Sequence, residues 1–134
     1  MKWDHSLSIG IMEIDAQHQN LVDITNQVEA LFKKALEGNG DYKETYKVIE
    51  TLSAYADKHF KTEEALFDKI GYPNREAHEE KHREFEAYVK GMTLDRIQTS
   101  EETVLIQIFA FLSNWIVDHI KTEDLEYKKF INQQ

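Results

Sequence analysis

His59-Phe60-Lys61-Thr62-Glu63-Glu64-Ala65-Leu66-Phe67 (residues 59–67) sets an imidazole and a carboxylate four residues apart. Positions four apart share one face of an α-helix, and here that face continues the apolar series Ile49, Leu52, Ala56, Leu66, Phe67 and Ile70 at steps of three and four. The stretch therefore reads as the late part of a core-facing helix. It is an unusual one, because burial penalises a polar or charged group that finds no partner. Whatever lies opposite His59 and Glu63 must supply that partner.

Working outward, the punctuation divides the chain into four long helices. Asp41-Tyr42-Lys43-Glu44 opens the helix containing residues 59–67 with an acidic variant of the capping box, and Gly71-Tyr72-Pro73 stops it. Upstream, Asp15 is the expected N-cap of a helix running to about Leu36 and ended by Gly38-Asn39-Gly40, with His18, Leu21, Val22, Thr25, Val28 and Phe32 facing inward. Downstream, a third helix begins near Asn74 and aligns His78, His82, Phe85, Val89 and Met92. A loop through Asp95 leads to Thr99-Ser100-Glu101-Glu102, a second capping pattern, and to a fourth helix presenting Leu105, Ile108, Leu112, Trp115, Ile116 and His119. Short connections favour antiparallel neighbours. The expected fold is all-α: an up-down-up-down antiparallel four-helix bundle with an irregular N-terminal arm and a short C-terminal helix. No strand, linker or low-complexity segment is visible, so residues 1–134 are expected to form a single domain.

Composition narrows the partners. A formal charge of −9 repels nucleic-acid phosphates and anionic lipid, so neither nucleic acid nor membrane insertion is expected. The apolar run Val104 to Leu112 is far too short to span a bilayer, and the N-terminus carries no export signal, which points to a soluble, cytoplasmic protein. The absence of cysteine excludes disulfides, thiolate metal sites and cysteine nucleophiles.

Five of the six histidines, His18, His59, His78, His82 and His119, fall on the inward stripes of the four helices; His5 lies in the arm and is expected to be exposed. A lone histidine on an apolar face is usually satisfied by one hydrogen bond. Five converging imidazoles are harder to satisfy, since each unpaired buried polar group costs about 1–3 kcal/mol, and a metal supplies what they lack. His78 and His82 are four apart, as are His59 and Glu63. Asp124, five residues after His119, would stand about 140° round a regular helix from it. The helix must therefore end or unwind between them if both are ligands, and Thr122 is a candidate N-cap for a terminal helix that would supply the break. Five imidazoles and the two carboxylates exceed the four ligands of a tetrahedral zinc site and suit two octahedral ions. Imidazole and carboxylate donors without sulfur favour two irons over manganese or zinc. Glu64, Glu79 and Glu80 read as solvated surface acids. Glu79-x-x-His82 matches the ferritin-like spacing, but that class needs it twice.

Ile14-Asp15-Ala16-Gln17-His18, His59-Phe60-x-x-Glu63-Glu64, His78-x-x-x-His82 and Trp115-Ile116-Val117-Asp118-His119-Ile120 followed by Asp124 together resemble the hemerythrins. The resemblance covers the chain from the arm to the last short helix. It implies a non-haem di-iron centre of two iron ions with an oxo or hydroxo bridge. His78, His82 and His119 would fill one iron, His18 and His59 would hold the second with a position open, and Glu63 and Asp124 would bridge. It also implies reversible dioxygen binding at the open iron, as hydroperoxide, for carriage, storage or delivery to an unidentified oxygen-consuming recipient. Ile24, Phe60, Trp115 and Ile116 are the expected walls of the oxygen pocket, with Ile116 standing where the family commonly has leucine. The alternatives are an oxygen or redox sensor module, against which no fused output domain is visible, and a di-iron peroxidase, ferroxidase or nitric-oxide-handling enzyme. No further buried acid or base stands out for catalysis, so a binding protein rather than an enzyme is expected.

Overall fold

Glycine and proline fall between the helices, and helix fills most of what remains. The computed structural model describes residues 1–133. After a single 3-10 turn at His5–Leu7 come α1 (Met12–Leu36), α2 (Tyr42–Ile70), α3 (Arg75–Lys90), α4 (Leu94–Thr99), α5 (Glu101–Asp118), a π-helical segment (His119–Asp124) and α6 (Leu125–Asn132). There is no strand among the described residues.

The ends of α2 follow from its sequence. The Asp41 carboxylate accepts from the backbone N–H groups of Lys43 and Glu44, two of the orphan donors of a helix start. Gly71 closes the helix at φ 64°, a left-handed conformation that glycine adopts without a Cβ penalty. Along α1 and α2 the contacts run in opposite senses. Gln17 meets Thr62, Asn20 meets Tyr55, and Lys34 meets Glu44, so the chain number rises on one helix as it falls on the other. The same holds where Glu64 and Asp68 of α2 meet His82 and Arg75 of α3. α5 packs along α1, and the four long helices form a bundle around one apolar core.

That core is the set of inward stripes. Leu21, Val28, Leu52, Ala56, Phe67, Phe85, Leu105, Ile108 and Leu112 are all buried, and the fully buried Phe67 replaces the half-buried Leu66 and Ile70 at the end of the α2 stripe. The Phe67 ring lies 5.2 Å from Tyr72, 4.8 Å from His78 and 5.3 Å from Tyr127, centroid to centroid. Phe67→Ala should therefore cost about 3–5 kcal/mol through lost burial and the cavity left behind. Urea unfolding of the metal-free protein measures it, with Leu36→Ala at an exposed position expected to stay within about 0.5 kcal/mol.

Several local expectations are corrected. Asp15 does not cap α1, which begins three residues earlier; its carboxylate accepts from Ser8 Oγ (2.5 Å) and Ile9 N (2.8 Å) and ties down the arm. The arm is thereby seated with Leu7 and Ile9 in the core. The segment through Asp95 is not a loop but α4, capped by the Thr93 hydroxyl. The Ser100 side chain makes no capping hydrogen bond, and the Thr99 hydroxyl donates backward to Asp95 O instead. Finally, α5, the π segment and α6 form one unbroken run, Glu101–Asn132, in place of a fourth helix followed by a separate terminal helix. By length and composition it could cross a bilayer, with a mean hydropathy of 1.4 over its most apolar window, but its inward face carries part of the polar cluster described next.

Candidate metal centre

Three of the long helices and the π segment that continues α5 deliver side chains to one point in the core. α1 brings His18, α2 brings His59 and Glu63, and α3 brings His78 and His82. The π segment brings His119 and Asp124. None of the seven is more than 3% exposed. The ring nitrogens approach in pairs: His18 Nε2 lies 3.0 Å from His59 Nε2, and His78 Nε2 lies 3.1 Å from His119 Nε2. Glu63 Oε1 is 2.8 Å from His59 Nε2 and 3.4 Å from His82 Nε2, while Oε2 is 3.5 Å from His78 Nε2. Asp124 divides its oxygens, with Oδ2 2.9 Å from His18 Nε2 and Oδ1 3.1 Å and 3.0 Å from His78 and His119 Nε2.

These atoms form two groups, each able to hold a metal ion: Glu63, His78, His82 and His119, and His18, His59, Glu63 and Asp124. Glu63 belongs to both. By its contacts with His18 on one side and His78 and His119 on the other, Asp124 also reaches toward both. Two ligand atoms set at right angles about 2.1 Å from one ion lie about 3.0 Å apart, and the paired imidazoles have that spacing. More telling is what the short contacts lack. Glu63 Oε2, His82 Nε2 and both Asp124 oxygens are buried without a hydrogen-bond partner despite neighbours within ion-pair distance. Their dipoles converge on common points rather than on one another, as ligands of a shared cation do. Nitrogen and carboxylate donors without sulfur suit first-row ions.

Electrostatics show how strongly the site calls for positive charge. Burial disfavours charged imidazoles, yet the Asp124 and Glu63 carboxylates outweigh it, raising His78 to about 9 and His119 to about 10. Burial likewise works to raise Glu63, and the imidazoles of His59, His119 and His78 reverse it, holding the carboxyl well below the usual range. Asp124 is also lowered, with burial and Glu63 opposing and His119 and His18 prevailing. Without a cation, protons must fill that role.

The π segment resolves the five-residue spacing of His119 and Asp124. In a π turn hydrogen bonds run from i to i+5, so residues five apart return to one face. The run neither ends nor restarts, and Thr122 is exposed and caps nothing. The requirement that regular α-helix yield between the two residues is met by widening rather than by breaking.

Around the seven stand groups that the sequence reading assigned elsewhere or passed over. Gln17 is buried, and its Oε1 accepts from His59 Nδ1 at 2.7 Å. Its spacing held the signal, three residues after Ile14 and four before Leu21 on an apolar stripe. Glu64 is not a freely solvated acid; its Oε2 pairs with His82 Nδ1 at 3.1 Å. Glu79 and Glu80 stay toward the surface, and His5 is exposed. The four expected pocket residues are placed unevenly. Phe60 stacks on the His82 ring (4.0 Å, 12°) and Trp115 on the His119 ring (4.3 Å, 12°), so both lie against the three-histidine group. Ile24 and Ile116 are buried in the core. Trp115 and His119 also line a surface cleft of about 290 Å³ together with Lys81, Glu84, Asp118 and Thr122. Tyr127, three residues beyond Asp124, is fully buried with no hydrogen-bond partner for its hydroxyl; burial and the Glu63 and Asp124 carboxylates keep it a protonated phenol.

The family profile described as the hemerythrin HHE cation binding domain matches residues 10–131. The chain belongs to the hemerythrin family. A bacteriohemerythrin from Clostridium acetobutylicum is 29% identical over 125 residues, covering 93% of this chain and 96% of that protein. One from Pseudomonas paraeruginosa is 33% identical over 126 residues, covering 93% and 77%. A hemerythrin-like protein of Naegleria gruberi is 29% identical over 126 residues, covering 94% and 89%. In fold, the chain is similar to a wild-type hemerythrin crystal structure with a TM-score of 0.78 over 96% of this chain and 95% of that one. The resemblance carried by the histidine motifs is thus a family membership, and this hemerythrin holds a histidine and carboxylate cluster able to bind metal.

Proposed function

We propose that the protein binds dioxygen reversibly at a pair of non-haem irons, for carriage, storage or delivery. The observation that carries this reading is that one buried carboxylate, Glu63, belongs to two adjoining groups able to hold a metal, one with three histidines and the other with two. On this reading His78, His82 and His119 fill one position. His18 and His59 would hold the other, and Glu63 and Asp124 would contribute to both. When bound, the iron pair supplies the electrons that make dioxygen capture chemically feasible.

The chain's own residues do the rest. Ile24 and Ile116, both buried, are proposed as pocket walls that would exclude water and so protect the reduced centre from oxidative loss. Tyr127 keeps a proton on a buried phenol beside the carboxylates. The formal charge of −9 supports a soluble protein that stays clear of nucleic acid and anionic lipid.

The test is metal analysis combined with an anaerobic-to-aerobic absorption spectrum. Two irons per chain and a visible band that appears in air and fades as oxygen pressure falls are expected. Rapid bleaching with peroxide turnover would instead assign the centre to an enzyme. Ile116→Phe should overfill the packed core, at a cost of about 1–3 kcal/mol, and narrow the route to the metals. Oxygen-binding and autoxidation rates equal to those of the wild type would remove Ile116 from the pocket wall.

A further inference from the structure

The two histidine groups differ in what stands behind them. In the two-histidine group, His59 Nδ1 donates to the neutral amide oxygen of Gln17 at 2.7 Å. Gln17 is itself fixed, its Nε2 donating to Thr62 Oγ1 at 3.2 Å while the Thr62 hydroxyl donates to Lys58 O at 3.0 Å. In the three-histidine group, His82 Nδ1 faces a carboxylate, Glu64 Oε2, at 3.1 Å. Phe60, stacked flat on the His82 ring, prevents that imidazole from turning away. The Nδ1 atoms of His18, His78 and His119 have no hydrogen-bond partner. Each group thus contains one imidazole whose outer nitrogen is held, and the two holders differ by a full charge.

An acceptor at Nδ1 fixes the proton there and leaves the Nε2 lone pair for the metal. A carboxylate does this more strongly than an amide, because the hydrogen bond is charge-assisted and draws the proton outward, making the ring a better electron donor. A better donor favours the more highly charged state of the ion it binds. Resting on the di-iron reading above, we infer that Glu64 and Gln17 are positioning residues that make the two metal positions unequal. Glu64 biases the His78, His82 and His119 side toward the oxidised ion. Gln17 orients His59 without adding charge, leaving the side with fewer histidines the easier one to keep reduced.

The experiment exchanges the two acceptors at nearly constant volume, Glu64→Gln and Gln17→Glu, in the full chain loaded with iron. Iron content is measured alongside mediated spectroelectrochemical potentials. Both variants should retain two irons, with affinity falling about 10-fold for Glu64→Gln. Glu64→Gln should shift a reduction step to higher potential and Gln17→Glu should shift one to lower potential, while Glu64→Asp should stay close to the wild type. Damage to packing alone would not give shifts of opposite sign. Should the buried charge of Gln17→Glu prevent folding, Gln17→Leu serves instead: it should weaken one metal position about 10-fold and leave the higher-affinity one unchanged. Two bound irons with potentials unmoved, or moved in the same direction by both exchanges, would overturn the inference and leave the di-iron reading standing. A wild-type chain that binds no metal would overturn both.

Discussion

Glu63→Gln should yield a folded helical protein that holds fewer than one iron per chain, whereas His18→Ala should still hold about one. The difference follows from position. Glu63 is shared by both metal-binding groups, and its oxygens lie 2.8 Å from His59, 3.4 Å from His82 and 3.5 Å from His78 and His119. Glutamine matches its volume, so packing is preserved, but it turns one donor oxygen into an amide NH₂ and removes a negative charge. The same change should weaken the metal-free protein. His78 and His119 carry protons there because carboxylates face them, and removing one partner of a buried charged set costs about 3–5 kcal/mol. Metal analysis and urea unfolding of the metal-free form check the two halves separately. Two irons bound to the Gln variant would show that Glu63 is not shared.

Metal uptake should strengthen steeply as pH rises from 7 to 9. His78, raised to about 9, and His119, raised to about 10, are protonated at pH 7, and a metal can bind only once those protons leave. Two competing protons make the apparent affinity rise about 100-fold per pH unit up to pH 9. Between 9 and 10 only His119 still competes, so the slope falls to about 10-fold, and above 10 it flattens. Imidazoles at the ordinary value of 6.5 would already be neutral at pH 7 and would give almost no slope over this range. Calorimetry with zinc in buffers of different ionisation enthalpy should count about two protons released per loaded chain at pH 7. Uptake that does not change between pH 7 and 9 would show that the carboxylates do not hold those protons. Metal-free stability should run the opposite way. A raised histidine stabilises fully below its unfolded pKa, and that contribution is lost as pH rises through 9 and 10. The depressed carboxyls of Glu63 and Asp124 stabilise above their unfolded values, and their contribution is lost on acidification.

Much of this was legible one residue at a time. The three-four spacing placed His18, His59, Glu63, His78 and His82 on inward faces, and the Asp41 and Gly71 boundaries of α2 followed from capping and the left-handed turn. Periodicity reports which side of its own helix a residue occupies, and that was enough to bring together six of the seven donors, all but Asp124. It also showed that His119 and Asp124 could not share a face on regular helix, without showing how the chain would solve the conflict.

Tertiary structure decided what depends on the neighbouring element. Asp15 is spent on the arm because Ser8 and Ile9 fold back onto it, and no local rule ranks that use above capping. Continuous π-helix, rather than a break at Thr122, keeps both His119 and Asp124 turned inward in one run. Glu64 reads as a surface acid along α2 and gains its role only because α3 brings His82 within 3.1 Å. Gln17 stands behind His59 only because α1 and α2 run in opposite senses at that register. The sequence by itself determined the four long helices and their buried faces, since those follow from the repeat of a single helix. The groups standing behind the imidazoles were decided only by packing, because a contact between two helices depends on their relative rotation and register, which neither helix encodes alone.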